Sequence, residues 1–252
     1  MSAERAWVRV GTAGWAIPAH SRAAFPGHGS VLERYAGRFS AVEINSSFYR
    51  PHRTATYERW AVSTPPAFRF SVKLPKIVTH DMRLRNTETL VTTFLSEVGA
   101  LGEKLGPILV QLPPSLIFEE PVASAFFKHL RDRTTGQIAC EPRHGSWFNA
   151  HADGLLANHR VARAAVDPPV HPAARRPGGW RDLAYWRWHG APRVYHSQYS
   201  DEDMGRLLTH LREGMASETW CILDNTALGA ATTNALSIVD SANNSARRAF
   251  EP

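Results

Sequence analysis

Eight short apolar segments, separated by helical or loop patterns, constrain this chain more than any other feature. They fall at 8–11, 41–45, 68–73, 107–112, 137–141, 161–167, 183–189 and 219–224. Strands that alternate with helical patterns predict an α/β protein with parallel strands. Eight such units predict a single (β/α)8 TIM-type barrel, whose chemistry gathers at the C-terminal strand ends. The 252 residues suit one domain over 1–252, with its core at about 8–240 and a frayed polar tail at 243–252.

Composition narrows the class. The apolar share of 43% and charged share of 21% are those of a water-soluble globular protein. No run approaches the roughly 18 apolar residues that span a membrane. Met1 to Trp7 holds no apolar signal-peptide core. The expectation is a cytoplasmic protein without a membrane partner. Cys140 and Cys221 fall inside predicted strands, which suggests buried, reduced thiols, and no Cys-rich zinc pattern occurs. The formal charge of +6 admits an anionic partner. The basic residues are scattered, densest at Arg175, Arg176 and Arg181.

Helix signals fall between the strands. Ser30 and Glu33 form a candidate capping box that opens a helix through Phe39. Leu90, Val91, Phe94, Leu95, Val98 and Leu101 recur at helical spacing. Pro121 suits the first turn of a helix carrying Phe126, Phe127 and Leu130. Ser200 precedes three acidic residues that favour a helix start, and 233–239 reads as the last helix.

Strand parity locates a site. Side chains alternate faces along a strand. Glu43 and Asn45 share a face, as do Ser71 and Lys73, and Tyr185, Arg187 and His189. If their apolar neighbours pack under helices, these polar residues point inward. Charges there must be paired or solvated, and the strand-end mouth allows both. The convergence predicts a ligand pocket.

At these residues the chain resembles the YecE-like family, a domain of unknown function. The resemblance rests on seven ordered segments: Gly11-Thr-Ala-Gly-Trp15; Val42-Glu-Ile-Asn-Ser-Ser-Phe-Tyr49; Phe68-Arg-Phe-Ser-Val-Lys73 with Thr79-His80; Gly106-Pro-Ile-Leu-Val-Gln-Leu-Pro-Pro114; Glu141-Pro-Arg-His-Gly-Ser-Trp147; Trp186-Arg-Trp-His-Gly190; and Asp224-Asn-Thr-Ala-Leu-Gly-Ala-Ala231 with Asn234-Ala235. They cover residues 8 to about 240. The resemblance implies a barrel related in shape to sugar-isomerase and endonuclease barrels, and it implies no established reaction. At the eighth strand the family's usual Phe-Asn-Asn reads Leu223-Asp224-Asn225, which adds a carboxylate.

Glu43, Lys73 and Glu141 are the candidate catalytic residues. Two carboxylates in separate environments can divide acid and base roles; paired with Lys73, Arg143 or Arg187 they would instead be structural. Lys73 can form a Schiff base if burial lowers its pKa, or orient an anion or carbonyl oxygen. Arg143 and Arg187 suit an anion. His80, His144 and His189 with Glu43, Glu141 and Asp167 offer metal-ligand chemistry, yet no HExxH-like spacing occurs and the nearby cations oppose a metal, so no metal or cofactor is expected. Trp15, Tyr49, Trp147, Tyr195 and Tyr199 could stack a sugar or base, or pack under loops. Asn45, Gln111, Asp224 and Asn225 complete the expected substrate-binding set.

The leading reading is an enzyme, an isomerase or hydrolase, acting on a polar, anionic small molecule such as a sugar phosphate or glycoside. A nucleic-acid-binding or processing protein and a non-catalytic sensor are the alternatives. A steep salt dependence of nucleic-acid affinity would mark the first, and binding without turnover the second.

Overall fold

The computed structural model describes residues 7–248. Its strands are β1 (Trp7–Thr12), β2 (Ala41–Ile44), β3 (Arg69–Lys73), β4 (Leu105–Gln111), β5 (Ile138–Glu141), β6 (Val161–Arg163), β7 (Ala165–Asp167), β8 (Gly178–Gly179), β9 (Leu183–Trp188) and β10 (Glu218–Leu223). They form two sheets, ordered β1-β10-β9-β7 and β2-β3-β4-β5-β6-β8. Every pairing is parallel except β6 with β8. The fold is therefore mixed α/β with parallel sheets.

The helices are α1 (Val31–Ala36), α2 (Thr54–Val62), α3 (Glu88–Val98), α4 (Glu120–Arg131), α5 (Ala150–Asn158), α6 (Asp201–Glu213) and α7 (Ala230–Arg248). Local chemistry sets their starts. Ser30 and Glu33 form the reciprocal capping box at α1, and Ser200 with Asp203 does the same at α6. Pro121 sits in the first turn of α4, where a missing N–H leaves no hydrogen bond unmade. The last helix departs from the expected 233–239: it begins at Ala230 and continues to Arg248. The sequence there has neither Gly nor Pro to stop it. The rest of the expected tail, 249–252, lies outside the described residues.

The segment 161–167 also departs from expectation. It is two short strands on either side of Ala164, β6 pairing with β5 and β7 with β9. One continuous stretch of chain thus belongs to both sheets. The Ala164 N–H still donates to the Cys140 carbonyl at 2.8 Å, so the break leaves no orphan donor there. At the other end of the sheets, β1 meets β2. Ala13 and Glu43 form a parallel bridge, and the Gly14 N–H donates to the Glu43 carbonyl at 2.8 Å. Gly11 permits this approach, because a Cβ there would lie 2.1 Å from the Ala41 oxygen.

Two apolar clusters follow from strand parity. The larger includes Val42, Ile44, Phe70, Val72, Trp186 and Trp188 with the buried faces of the helices. The smaller unites residues of both sheets, among them Ala41, Leu109, Ala139, Tyr185, Trp220 and Ile222. Trp220 of β10 lies against Gly106 of β4, where a Cβ would come within 2.4 Å of its ring. Both cysteines are buried and free. Among the described residues, no helix is long and apolar enough to cross a membrane.

Candidate functional site

The inward parity of β2, β3, β5 and β9 brings Glu43, Lys73, Glu141 and Arg187 together near the C-terminal strand ends. His189 and Asp224 join them from just beyond β9 and β10. Arg187 is the hub and is fully buried. Its Nε donates to Glu43 Oε2 and its Nη2 to Glu43 Oε1, both at 2.9 Å. Nη2 also pairs with Asp224 Oδ2 at 2.9 Å, and Nη1 reaches Glu141 Oε2 at 3.2 Å. A guanidinium fork matches a carboxylate bidentately, and such pairs are the strong ones. Tyr185 adds its hydroxyl, donating to Glu43 Oε2 at 3.0 Å. Burial and Glu43 raise the Tyr185 phenol well above its ordinary range, so it stays a neutral donor.

Glu141 is equally occupied. Its Oε1 accepts from Gln111 Nε2 at 2.9 Å and from Arg143 Nη1 at 2.8 Å, and it lies 3.1 Å from His189 Nε2. Burial by itself would raise this carboxyl. His189, Arg187 and Arg143 outweigh burial and hold it well below the usual carboxylate range. Asp224 is lowered in the same way, burial being overcome by Arg187 and His189. These carboxylates are ionised acceptors with their lone pairs committed.

His189 occupies a different position. Its Nδ1 lies 3.0 Å from Asp224 Oδ2, whereas Nε2 lies 3.1 Å from both Glu141 Oε1 and Arg143 Nη1. With a proton on Nδ1, Nε2 can accept from Arg143 in the neutral ring or donate to Glu141 in the charged one. Either state has partners. Three carboxylates (Glu43, Glu141, Asp224) face the guanidinium groups of Arg143 and Arg187, with the Lys73 amine within their electrostatic reach.

Lys73 is the exception in this network. It is only 5% exposed. Among the described residues its Nζ makes no hydrogen bond and no ion pair; it sits 3.9 Å from the centre of the Phe48 ring. Burial first, and then Arg187, push the amine down to about 8, against the pull of Glu43, Glu141 and Asp224. His80 packs edge-on against the other partner of this contact, its ring 5.0 Å from Phe48. Burial and Lys73 lower the His80 imidazole. Asn45 is half-buried, and its Oδ1 has no partner among the described residues.

Arg143 remains half-open, with a side chain 17% exposed. Among the described residues its guanidinium enters the network through Nη1 alone. Of the two arginines expected to meet an anion, Arg187 has given its donors to carboxylates, whereas Arg143 keeps donors that have no partner among the described residues.

Other expected residues fall elsewhere. Trp147 is buried in the core and donates its indole N–H to the Leu116 carbonyl at 3.0 Å. Tyr199 is buried, its hydroxyl bonded to Asp167 Oδ1 at 2.8 Å and accepting from the Gly190 N–H. Both pack as structure, and Asp167 serves as the Tyr199 acceptor. Asn225 is buried and donates to the Ser197 carbonyl and Asn234 Oδ1. His144 caps a helical turn by accepting from the Ser146 N–H. Trp15 is half-buried, edge-on to Trp60 at 5.0 Å, and Tyr49 is 76% exposed. Strand parity places Tyr185 on the face of Arg187, although it stands outside the expected substrate-binding set, and Tyr195 is among the strand-end aromatic residues. The Tyr195 ring lies 5.8 Å from His189. Phe48, the ring beside Lys73, gave no signal of its own in the sequence. Among the described residues, no three His, Cys, Asp or Glu side chains are arranged to hold a metal.

Fold and site together define a mixed α/β protein of parallel sheets whose strand ends carry a buried, mutually paired charge network. Residues 9–252 match the family described as "Protein of unknown function DUF72", and the chain belongs to that family. It is similar to the UPF0759 protein YecE of Escherichia coli strain K12, 28% identical over 183 residues, or 69% of this chain. That match spans 65% of the relative's own length. Among solved structures, a DUF72 family protein from Thermotoga maritima MSB8 superposes with a TM-score of 0.79 at 27% identity, covering 94% of this chain and 99% of that one. A DUF72 family protein from Enterococcus faecalis V583 gives 0.78 at 20% identity, over 94% and 96% of the two chains, a likeness of fold.

Proposed function

We propose that this protein is an enzyme acting on a small anionic molecule at the strand-end network, and that the network sits in the mouth of one closed (β/α)8 barrel. Four observations support closure. The Ala13–Glu43 bridge joins the sheets at one seam. The segment 161–167 joins them at the other. An apolar cluster draws on both sheets. Trp220 crosses to Gly106. Such a ring would count eight strands, with β6 and β7 as one and the antiparallel two-residue β8 outside it, and its C-terminal mouth is where barrel enzymes place their chemistry.

The single observation that carries the enzymatic reading is Lys73, a buried lysine that, among the described residues, has no ion-pair partner beside a network of paired charges. Burying such a group costs stability, and strain of that kind collects at functional sites. Among the two reactions expected, isomerisation fits better than hydrolysis. Hydrolysis asks a carboxylate to activate water, and Glu43 and Glu141 already accept from arginine and other donors. Lys73 and His189 are the groups able to move a proton. Arg143 offers its remaining donors to a phosphate or carboxylate at the edge.

Thermal melts with pyruvate, dihydroxyacetone phosphate, glucose 6-phosphate and fructose 6-phosphate test this reading. At least one anion should raise the midpoint, and Arg143→Gln should weaken its binding by about tenfold, the loss of one charge-assisted contact. Equal stabilisation of wild type and Arg143→Gln by every such anion would argue against the site.

A further inference from the structure

Lys73 stands apart from the chain's other lysines. Only four of the 29 basic residues are lysines: Lys73, Lys76, Lys104 and Lys128. Lys76 pairs with Asp81 at 3.3 Å and Lys128 with Asp132 at 2.7 Å. Lys104 donates to the carbonyls of Ala61 and Thr64. Lys73 alone faces an aromatic ring, with no oxygen acceptor in reach among the described residues. A ring face attracts an ammonium but cannot replace its lost hydration. An arginine would be always charged and would not serve as a nucleophile at ordinary pH, whereas a lysine amine can.

From this geometry we infer that Lys73 forms a covalent imine with a small oxo-compound, an aldehyde or ketone that carries a carboxylate or phosphate. The inference deepens the proposed function and rests on it. Two conditions activate a lysine toward carbonyls: desolvation against an apolar surface and a neighbouring cation. Lys73 has both, in Phe48 and Arg187. The nitrogen lone pair attacks the carbonyl carbon, and the carbonyl oxygen takes up a proton. The nitrogen then gives up its protons as the oxygen leaves as water and the C=N bond forms. One amine and one carbonyl become one imine and one water, with no oxidant or reductant required. The charged groups that act on Lys73 are Arg187 from β9, Glu43 from β2, Glu141 from β5, Asp224 beyond β10, and His80 on the turn after β3. The carboxylates favour the ammonium, burial and Arg187 favour the free amine, and the net shift is downward. Free amine increases as pH rises through about 8, so the rate of capture should rise there too.

Borohydride trapping tests the inference on the full chain. Glycolaldehyde, pyruvate and dihydroxyacetone phosphate are each incubated with the protein and sodium borohydride, at roughly pH 7 to 9. Hydride from the reagent fixes any imine as a secondary amine, and peptide mass mapping assigns it among the four lysines. Lys73 should be modified at least about tenfold faster than Lys76. An anionic probe should outpace glycolaldehyde at equal concentration. Lys73→Arg, checked for folding by its melt, should lose the fast adduct. Modification of Lys76 with Lys73 untouched in the folded protein would overturn the inference. If the anions still raised the melting midpoint in that case, non-covalent binding would stand and only the imine would fall. If they did not, both readings would fall together.

Discussion

Arg187 commits its guanidinium to three carboxylates, and that decides what each neighbour can do. Glu141, held ionised by His189, Arg187 and Arg143, is a structural anion more than a proton carrier. Its replacement by Gln leaves two arginines and a histidine around a neutral group in a buried site. Removing one partner of a buried ion pair typically costs about 3–5 kcal/mol. Glu141→Gln should therefore lower the urea unfolding midpoint markedly, an outcome that equilibrium denaturation followed by circular dichroism would read. An unchanged midpoint would mean that the network contributes nothing to folding. Parity along the strands is enough to place Glu43, Lys73 and Arg187 on one side of the sheets. Which carboxylate meets which cation depends on how the two sheets stand across from each other, and no local pattern encodes that. The unpaired state of Lys73 is of the same kind.

At the scale of elements, local chemistry and long-range packing divide cleanly. The capping boxes at Ser30 and Ser200 and the first-turn Pro121 are legible because each acts within a few residues. α2 and α5 are not legible in the same way: α2 buries only Tyr57, and α5 packs mainly through Ala152, Leu155 and Leu156, a short stripe without strong periodicity. The split of 161–167 is a pairing event between sheets, invisible in an unbroken apolar run. Gly106 shows the same dependence. Nothing around it in sequence demands glycine, but the Trp220 ring from another sheet fills the space a side chain would take. Gly106→Ala should cost about 1–3 kcal/mol through overpacking, measured as a lowered thermal midpoint. The adjacent Trp220 indole provides a fluorescence reporter of the disturbance. A variant as stable as wild type, with unchanged fluorescence, would show that the ring has room to move.

For the whole molecule, eight strand signals correctly predict an α/β protein with parallel sheets, and seven motifs correctly predict its family. The proposed site chemistry rests on the contrast between a paired charge network and, among the described residues, one amine outside it. That contrast is open to direct measurement, because the chain holds only four lysines. Protein labelled with ¹³C and ¹⁵N at lysine alone should give four side-chain titration curves by NMR, with Lys73→Arg identifying the one it removes. The Lys73 curve should have its midpoint near 8. A Lys73 curve in the ordinary lysine range, near 10.4, would contradict it.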